Sequence, residues 1–287
     1  MSNTPLIFLG LFAAMAGSFW GLLLAPQLQI GRQDVRPIEA TGEIYPAPRP
    51  GLAQEGAEVY RANGCVECHT RQVRQTGVAF DVWLHETGTN MNAVVALLSQ
   101  AGMRAGDAAA LVAKTPARVR SGLPHGEARK LAAQLTDAAA KASADLVPLG
   151  PDIARGWGSR LSVAQDYLRD NPVLLGSLRL GPDLANIGAR QTNAIWHLLH
   201  LYDPRLTVPG SSMPRYPYLF EKRSRPAGAP RSPEALPLDD DAAGAYEVVP
   251  RPEAHALVAY LISLKMETPL FEAPMPPVRA AASAPTP

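Results

Sequence analysis

The sequence predicts a mainly α-helical protein with three parts. These are an apolar N-terminal helix, a small helical domain gathered around one Cys-x-x-Cys-His motif, and an α/β unit inserted into that domain. Three observations lead there. Residues 5–26 read PLIFLGLFAAMAGSFWGLLLAP, without a single charge. Both cysteines of the chain fall in Cys65-Val66-Glu67-Cys68-His69. Helical periodicity flanks that motif, and a β-α-α-β-α-β pattern interrupts it. The 287 residues, 47% of them hydrophobic, suffice for two small folded units rather than one large core. With 27 basic against 26 acidic side chains the net charge is +1, and the absence of a dense basic excess argues against nucleic acid.

Residues 1–30 read as a transmembrane anchor, since a helix needs about 20 apolar residues to span the hydrocarbon core. A cleaved signal peptide has a similar apolar run. The leader Met1-Ser2-Asn3-Thr4 lacks Lys and Arg, however, and no clear small-x-small cleavage site follows. Residues 31–55, rich in Pro and charge, are expected to be a tether. Its Arg32 and Arg36 taken alone would hold the bulk of the chain in the cytoplasm.

The Cys65–His69 motif points the other way. With two cysteines and six histidines in the chain, chance would produce such a run about once in 10⁴. Its chemistry is specific: Cys65 and Cys68 form thioethers with heme vinyl groups, and the imidazole of His69 is held beneath the iron. Zinc would need two further ligands. A redox pair would need a βαβ context and has no use for the trailing His. One covalent heme c is therefore expected. In bacteria such attachment takes place outside the cytoplasmic membrane, so the folded part is expected in the periplasm on a single-pass inner-membrane anchor.

Around the motif, residues 56–62 (GAEVYRA) read as a short helix with Ala57 and Tyr60 on one face. Residues 192–202 (TNAIWHLLHLY) read as a second helix, stopped by Asp203-Pro204, and residues 252–264 (PEAHALVAYLISL) as a third, with proline in its first turn. Helices from both ends beside a heme are the arrangement of class I cytochromes c. In Gly181-Pro182-Asp183-Leu184 the Pro182 carbonyl can accept the free N–H of the proximal imidazole and orient it. In Ser211-Ser212-Met213-Pro214 a methionine is held on a loop, where it is poorly placed as core filler, and Met213 is expected as the sixth iron ligand. Met91 and Met103 compete with it but lie in the inserted unit. Arg74, Arg160 and Arg179 are candidates for the heme propionates, because guanidinium suits carboxylate; ordinary surface arginines remain the alternative. His197 and His200, spaced i, i+3, lack a third ligand at metal spacing. One is expected near the heme edge and the other against solvent or a partner.

These residues resemble a family. GAEVYRANGCVECHTRQVR, the stretch from RGWGSRL through GPDL to HLYDPR, and VPGSSMPRYPYL look like the monoheme subunit of cbb3-type cytochrome c oxidases. The likeness covers the anchor and roughly half the chain. It implies an electron relay from a diheme or soluble cytochrome c donor to a catalytic heme–copper membrane subunit. Under it Cys65 and Cys68 bind heme, His69 and Met213 ligate iron, and Tyr216 in the S-x-MP-x-YP loop belongs to the heme environment. With both axial positions filled, this chain would carry no oxygen site of its own. A free-standing membrane-bound shuttle, the cytochrome subunit of a nitric oxide reductase and a redox-sensing adaptor are the other functions kept open.

The departure from that family is residues 77–148. Strands are expected at 80–84, 117–120 and 145–147, with a helix over 125–142. FDVWL and LVAKTPARVRSGLPHGEARKLAAQL give this unit a likeness to the C-terminal domain of the ribosomal stalk protein. Its first two helices nearly lack the lysines with which that domain binds translation factors. It is expected to bind a protein partner of unknown identity, or to act as a spacer. The domain order expected is therefore anchor 1–30, linker 31–55, cytochrome domain 56–76 and 149–268, insertion 77–148, and a disordered Pro/Ala-rich tail 269–287. Residues 221–250 are expected as a Pro-rich loop with a solvated acidic run at Asp239–Asp241.

Overall fold

The computed structural model describes residues 3–30, 34–38, 42–226, 229–238 and 246–277. The N-terminal helix begins as α1 (Thr4–Phe19), passes through a π-helical turn at Trp20–Leu24 and continues as α2 (Ala25–Ile30). An 18-residue window within Thr4–Leu28 has a mean hydropathy of 2.0 and none of it is buried, so its length and composition suffice to cross a membrane. Strands β1 (Arg36–Pro37) and β2 (Ile44–Tyr45) then pair in a short antiparallel ladder.

Residues 42–50 are not the free tether that their composition suggested. The Tyr45 hydroxyl donates to Asp166 Oδ1 at 2.6 Å, and Arg49 pairs with Asp170 at 2.5 Å. Carboxylates from more than a hundred positions away thus dock this stretch on the folded part. Helix α3 (Gly51–Ala62) starts five residues earlier than its apolar periodicity suggested and buries Ala53, Gly56 and Tyr60 on one face.

Residues 77–149 form a unit with its own core. Strand β3 (Gly77–Glu86), helices α4 (Met91–Gln100) and α5 (Ala105–Val112), strand β4 (Ala117–Leu123), helix α6 (His125–Asp137) and strand β5 (Lys141–Leu149) follow in order. The sheet is antiparallel, β4-β3-β5. Alternation along β3 turns Val82 and Leu84 onto Val94 and Leu98 of α4, Val112 of α5 and Leu135 of α6. Helix α6 ends before residue 142 because Ala139 adopts a left-handed conformation (φ 64°), and Lys141 already opens the next strand. The strands begin and end together: Gly77 faces Leu149, and the Thr76 amide donates to the Leu149 carbonyl at 2.8 Å.

Beyond this unit come α7 (Pro151–Ala154), α8 (Ile187–Arg190) and α9 (Ala194–Tyr202). Helix α9 starts two residues later than expected, because the Asn193 side chain caps it by accepting the Ile195 and Trp196 amides. The expected Pro-rich loop contains an antiparallel pair, β6 (Phe220–Ser224) with β7 (Tyr246–Pro250). The acidic run at 239–241 lies outside the described residues. Helix α10 (Pro252–Ser263) crosses α3, with Tyr60 and Tyr260 rings 5.2 Å apart. Leu198 and Leu201 of α9 and Leu257 and Leu261 of α10 join Tyr60 in the second core. Of the expected disordered tail, residues 269–277 are described and Ala273 is buried; residues 278–287 lie outside the description.

Candidate functional site

The site is built from the end of α3. Gly64 turns the chain in a left-handed conformation (φ 64°), and Cys65–Glu67 form one 3-10 turn. The amides of Cys68 and His69 both donate to the Cys65 carbonyl, at 3.3 and 3.0 Å, which fixes the two half-buried thiols and the imidazole on a single turn. Burial pushes the Cys65 thiol up to about 12, so it stays protonated and is no reactive thiolate. Among the described residues no group of three or more His, Cys, Asp or Glu could hold a metal ion, which removes support for zinc.

A second loop closes against this turn. The Gly181 amide donates to the Cys68 carbonyl at 3.0 Å, and His69 Nδ1 lies 2.7 Å from the Pro182 carbonyl. A carbonyl can only accept, so Nδ1 carries the proton and Nε2 is left with its lone pair. The imidazole ring lies so close that a Cβ on Gly181 would stand 2.2 Å from His69 Cε1. Burial lowers the His69 pKa, against the opposing pull of the Pro182 carbonyl and Asp183. Asp183 is fully buried and clamps the two loops together. Its carboxylate accepts the Thr70 hydroxyl at 2.5 Å and the amides of Gln72 and Ala185 at 2.8 Å each. Sequence reasoning misses this role, because Thr70 and Gln72 lie more than a hundred positions away.

His69 and Cys65 open into a cleft walled mainly by apolar side chains. Pro182, Leu184 and Ile187 form one wall. Trp196, His197, His200 and Leu201 of α9 supply another, and Tyr60 of α3 with Leu257 and Leu261 of α10 a third. Met213 enters from the loop after α9, whose far end is pinned by the Tyr216 amide donating to the Leu201 carbonyl at 2.9 Å. The cleft thus brings together an imidazole with a free nitrogen, a thioether and an adjacent thiol, surrounded by apolar side chains. That donor set fits a covalently attached iron porphyrin.

The arginines expected at the propionates, Arg74, Arg160 and Arg179, do not line the cleft. Arg160 is 1% exposed and held by Asp166 at 2.7 Å, Tyr45 at 3.1 Å and the Thr268 carbonyl at 2.6 Å. Arg179 grips Asp152 at 2.6 Å, with further bonds to Thr70 and the Gln72 carbonyl. Arg74 is exposed, and its backbone amide donates to Asp152 at 2.8 Å. Buried Asp166 and Asp152 hold the guanidinium groups of Arg160 and Arg179. The arginine that does line the cleft is Arg190, at the end of α8. Tyr216 stands beside the cleft walls, packed on the second core, and burial raises its phenol to about 12.

Both α9 histidines face the cleft. His197 is buried, with Nε2 2.9 Å from the Gln191 carbonyl. His200 Nδ1 lies 2.6 Å from Thr207 Oγ1, and its ring stacks on Trp196 at 4.7 Å and 8°. Burial, then His197 and His69, lower the His200 pKa to about 4, so it is neutral at pH 7. Met91 and Met103 do not line the cleft; Met103 packs on the separate core of the 77–149 unit and Met91 is exposed.

Residues 142–237 match a family model described as cytochrome c oxidase, mono-heme subunit/FixO. The matched stretch carries Pro182, His200 and Met213 and stops short of the Cys65–His69 turn. No curated protein matches the chain.

Proposed function

We propose that this chain is a membrane-anchored monoheme c-type cytochrome that relays electrons to the catalytic heme–copper subunit of a cbb3-type terminal oxidase. One observation carries the reading: His69, oriented by the Pro182 carbonyl, and Met213 enter the same apolar cleft beside Cys65. The match of residues 142–237, which carry both loops, to a monoheme oxidase subunit supports the complex in which that cleft would work. Cys65 and Cys68 would hold the heme by thioethers, and His69 Nε2 and the Met213 thioether would take the two axial positions. Arg190 is the cleft's own cation for a propionate. The bound heme supplies one-electron chemistry at a potential that His/Met ligation raises. The protein's own part is to orient His69 through Pro182 and Asp183, exclude water with Leu184, Ile187, Leu257 and Leu261, and close both axial sites.

The apolar helix supports a single-pass anchor, and c-type attachment would put the cleft on the periplasmic side of the inner membrane. The donor would be a diheme or soluble cytochrome c. The 77–149 unit, with a separate core and adjacent ends, is read as an inserted stalk-like domain that docks a protein partner or acts as a spacer. Extraction of the full chain in mild detergent tests the assignment. Co-purification of a many-helix subunit with b-type heme and copper is expected. Isolation as a lone c-heme protein overturns the relay role and leaves a free-standing shuttle.

A further inference from the structure

His200 is one of three polar side chains in the cleft, with His197 and Tyr60, that the relay function does not use. Thr207 has one hydroxyl proton, and it donates to the Pro204 carbonyl at 3.2 Å. With the proton placed there, its oxygen accepts from His200 Nδ1–H at 2.6 Å. That bond fixes the tautomer: Nε2 of a neutral imidazole carries the lone pair, on the side of the ring away from Thr207. A bare nitrogen cannot donate to a propionate or to the Met213 sulfur. It can ligate a metal. His197 is less suited, because its Nε2 is taken by the Gln191 carbonyl.

The two side chains differ in how firmly they are held. His200 sits on a helix, stacked flat on Trp196 and tied through Thr207. Met213 sits on a loop anchored at its ends, where the Val208 amide donates to Pro204 and the Tyr216 amide to Leu201, both at 2.9 Å. Between those anchors the Met213 amide makes one long bond, 3.3 Å, to Ser211 Oγ. Met213 is thus held by fewer direct bonds than His200, although Ser211 and Arg215 on either side of it are tied to Val208 and Asp203.

We propose that His200 is a second nitrogen ligand for the heme iron, taking the sixth position through Nε2 when Met213 withdraws. The inference rests on the heme reading above. In the exchange the iron–sulfur bond opens and an iron–nitrogen bond forms. No electron moves, and no proton is released because Nε2 holds none. Imidazole is a better donor than a thioether, so the exchanged site has a lower potential and stays shut to small ligands. His200 thereby stops the relay without exposing an open iron site.

The test uses the full chain matured with heme in membranes, read by optical and electron paramagnetic resonance spectra and by carbon monoxide binding. Met213→Ala is expected to lose the thioether-to-iron band yet remain low-spin and fail to bind carbon monoxide. Met213→Ala with His200→Gln is expected to become high-spin and to bind it, and added imidazole is expected to restore the low-spin form, which shows that the fold survived. A Met213→Ala protein that carries covalent heme but is already high-spin and binds carbon monoxide overturns the proposal and leaves the heme reading intact. So does a double variant that stays low-spin, since another residue then supplies the nitrogen. An unchanged thioether band in Met213→Ala removes both the Met213 assignment and the proposal. Lack of covalent heme in the wild type defeats the reading beneath them.

Discussion

Gly56 of α3 rides on the Ala256 carbonyl of α10, so close that a Cβ on it would stand 1.9 Å from that oxygen. The same Cβ would meet Tyr260 Cβ at 2.8 Å. Neither obstacle is a flexible side-chain end, so the two helices would have to move apart. Gly56→Ala is therefore expected to cost at least the ~1–3 kcal/mol typical of overpacking, measured by chemical unfolding. An unchanged midpoint would mean that the crossing is looser than described.

Gly181 plays a comparable part at the metal side of the cleft. A methyl there meets the His69 ring edge-on and pushes it away from the Pro182 carbonyl. Gly181→Ala is expected to lower the yield of correctly ligated heme several-fold, with the remaining fraction showing a perturbed potential. Heme content per chain and a redox titration check this. Wild-type values for both would show that the ring position does not depend on this contact.

Two ion pairs should behave in opposite ways. Asp166 holds the fully buried Arg160, and its loss leaves that cation without its carboxylate. Asp166→Ala is expected to destabilise by about 3–5 kcal/mol. Glu86 pairs with Lys141 at side-chain exposures of 61% and 71%. Glu86→Gln is expected to change stability by less than about 1 kcal/mol. Equal effects in the two melts would contradict the burial argument.

Acid should unfold the cleft through its histidines. Burial lowers the pKa of His197, and lowers that of His200 from 6.5 to about 4. The unfolded chain then binds more protons than the folded one over that window. Stability is therefore full above pH 6.5 and falls as pH drops toward 4. The slope of unfolding midpoint against pH between those values should flatten in His200→Gln. An identical slope would place the acid sensitivity elsewhere.

The 77–149 unit should be removable. Gly77 and Leu149 face each other across the β3–β5 ladder, where facing Cα atoms stand about 4.5–5.5 Å apart. Joining them directly requires only about 3.8 Å. A chain lacking residues 78–148 is expected to keep its heme spectrum and to melt within a few degrees of the parent. Loss of heme binding would show that the unit supports the cleft.

What the sequence revealed depended on how local each signal was. Cys65, Cys68 and His69 could be read because one turn contains all three. Pro182 and Met213 could be read because proline marks both loops. The arginines misled because carboxylates that carry no motif took them up: Asp166, six positions on, holds Arg160, and Asp152 and Asp183 hold Arg179. Arg190 left one unused clue, standing within two turns of the GPDL loop. Strands β6 and β7 were hidden by the Pro- and Ala-rich stretch between them. Hydrophobic periodicity found three helices around the cleft and the start of α10, but not the starts of α3 and α9, which Pro50 and the Asn193 cap determine.

The paired ends of the 77–149 unit also bear on the order in which the chain folds. Left as a flexible loop of some 70 residues, that stretch would tax closure of the surrounding domain by about (3/2)RT ln n, near 4 kcal/mol. Once β3 and β5 have zipped, the loop shrinks in effect to the single step from Gly77 to Leu149, and most of that entropic barrier is gone. The unit should therefore fold first and deliver residues 150–190 to the Cys65–His69 turn. Its rate of folding then sets how soon a newly made chain can present both thiols and His69 in one formed site.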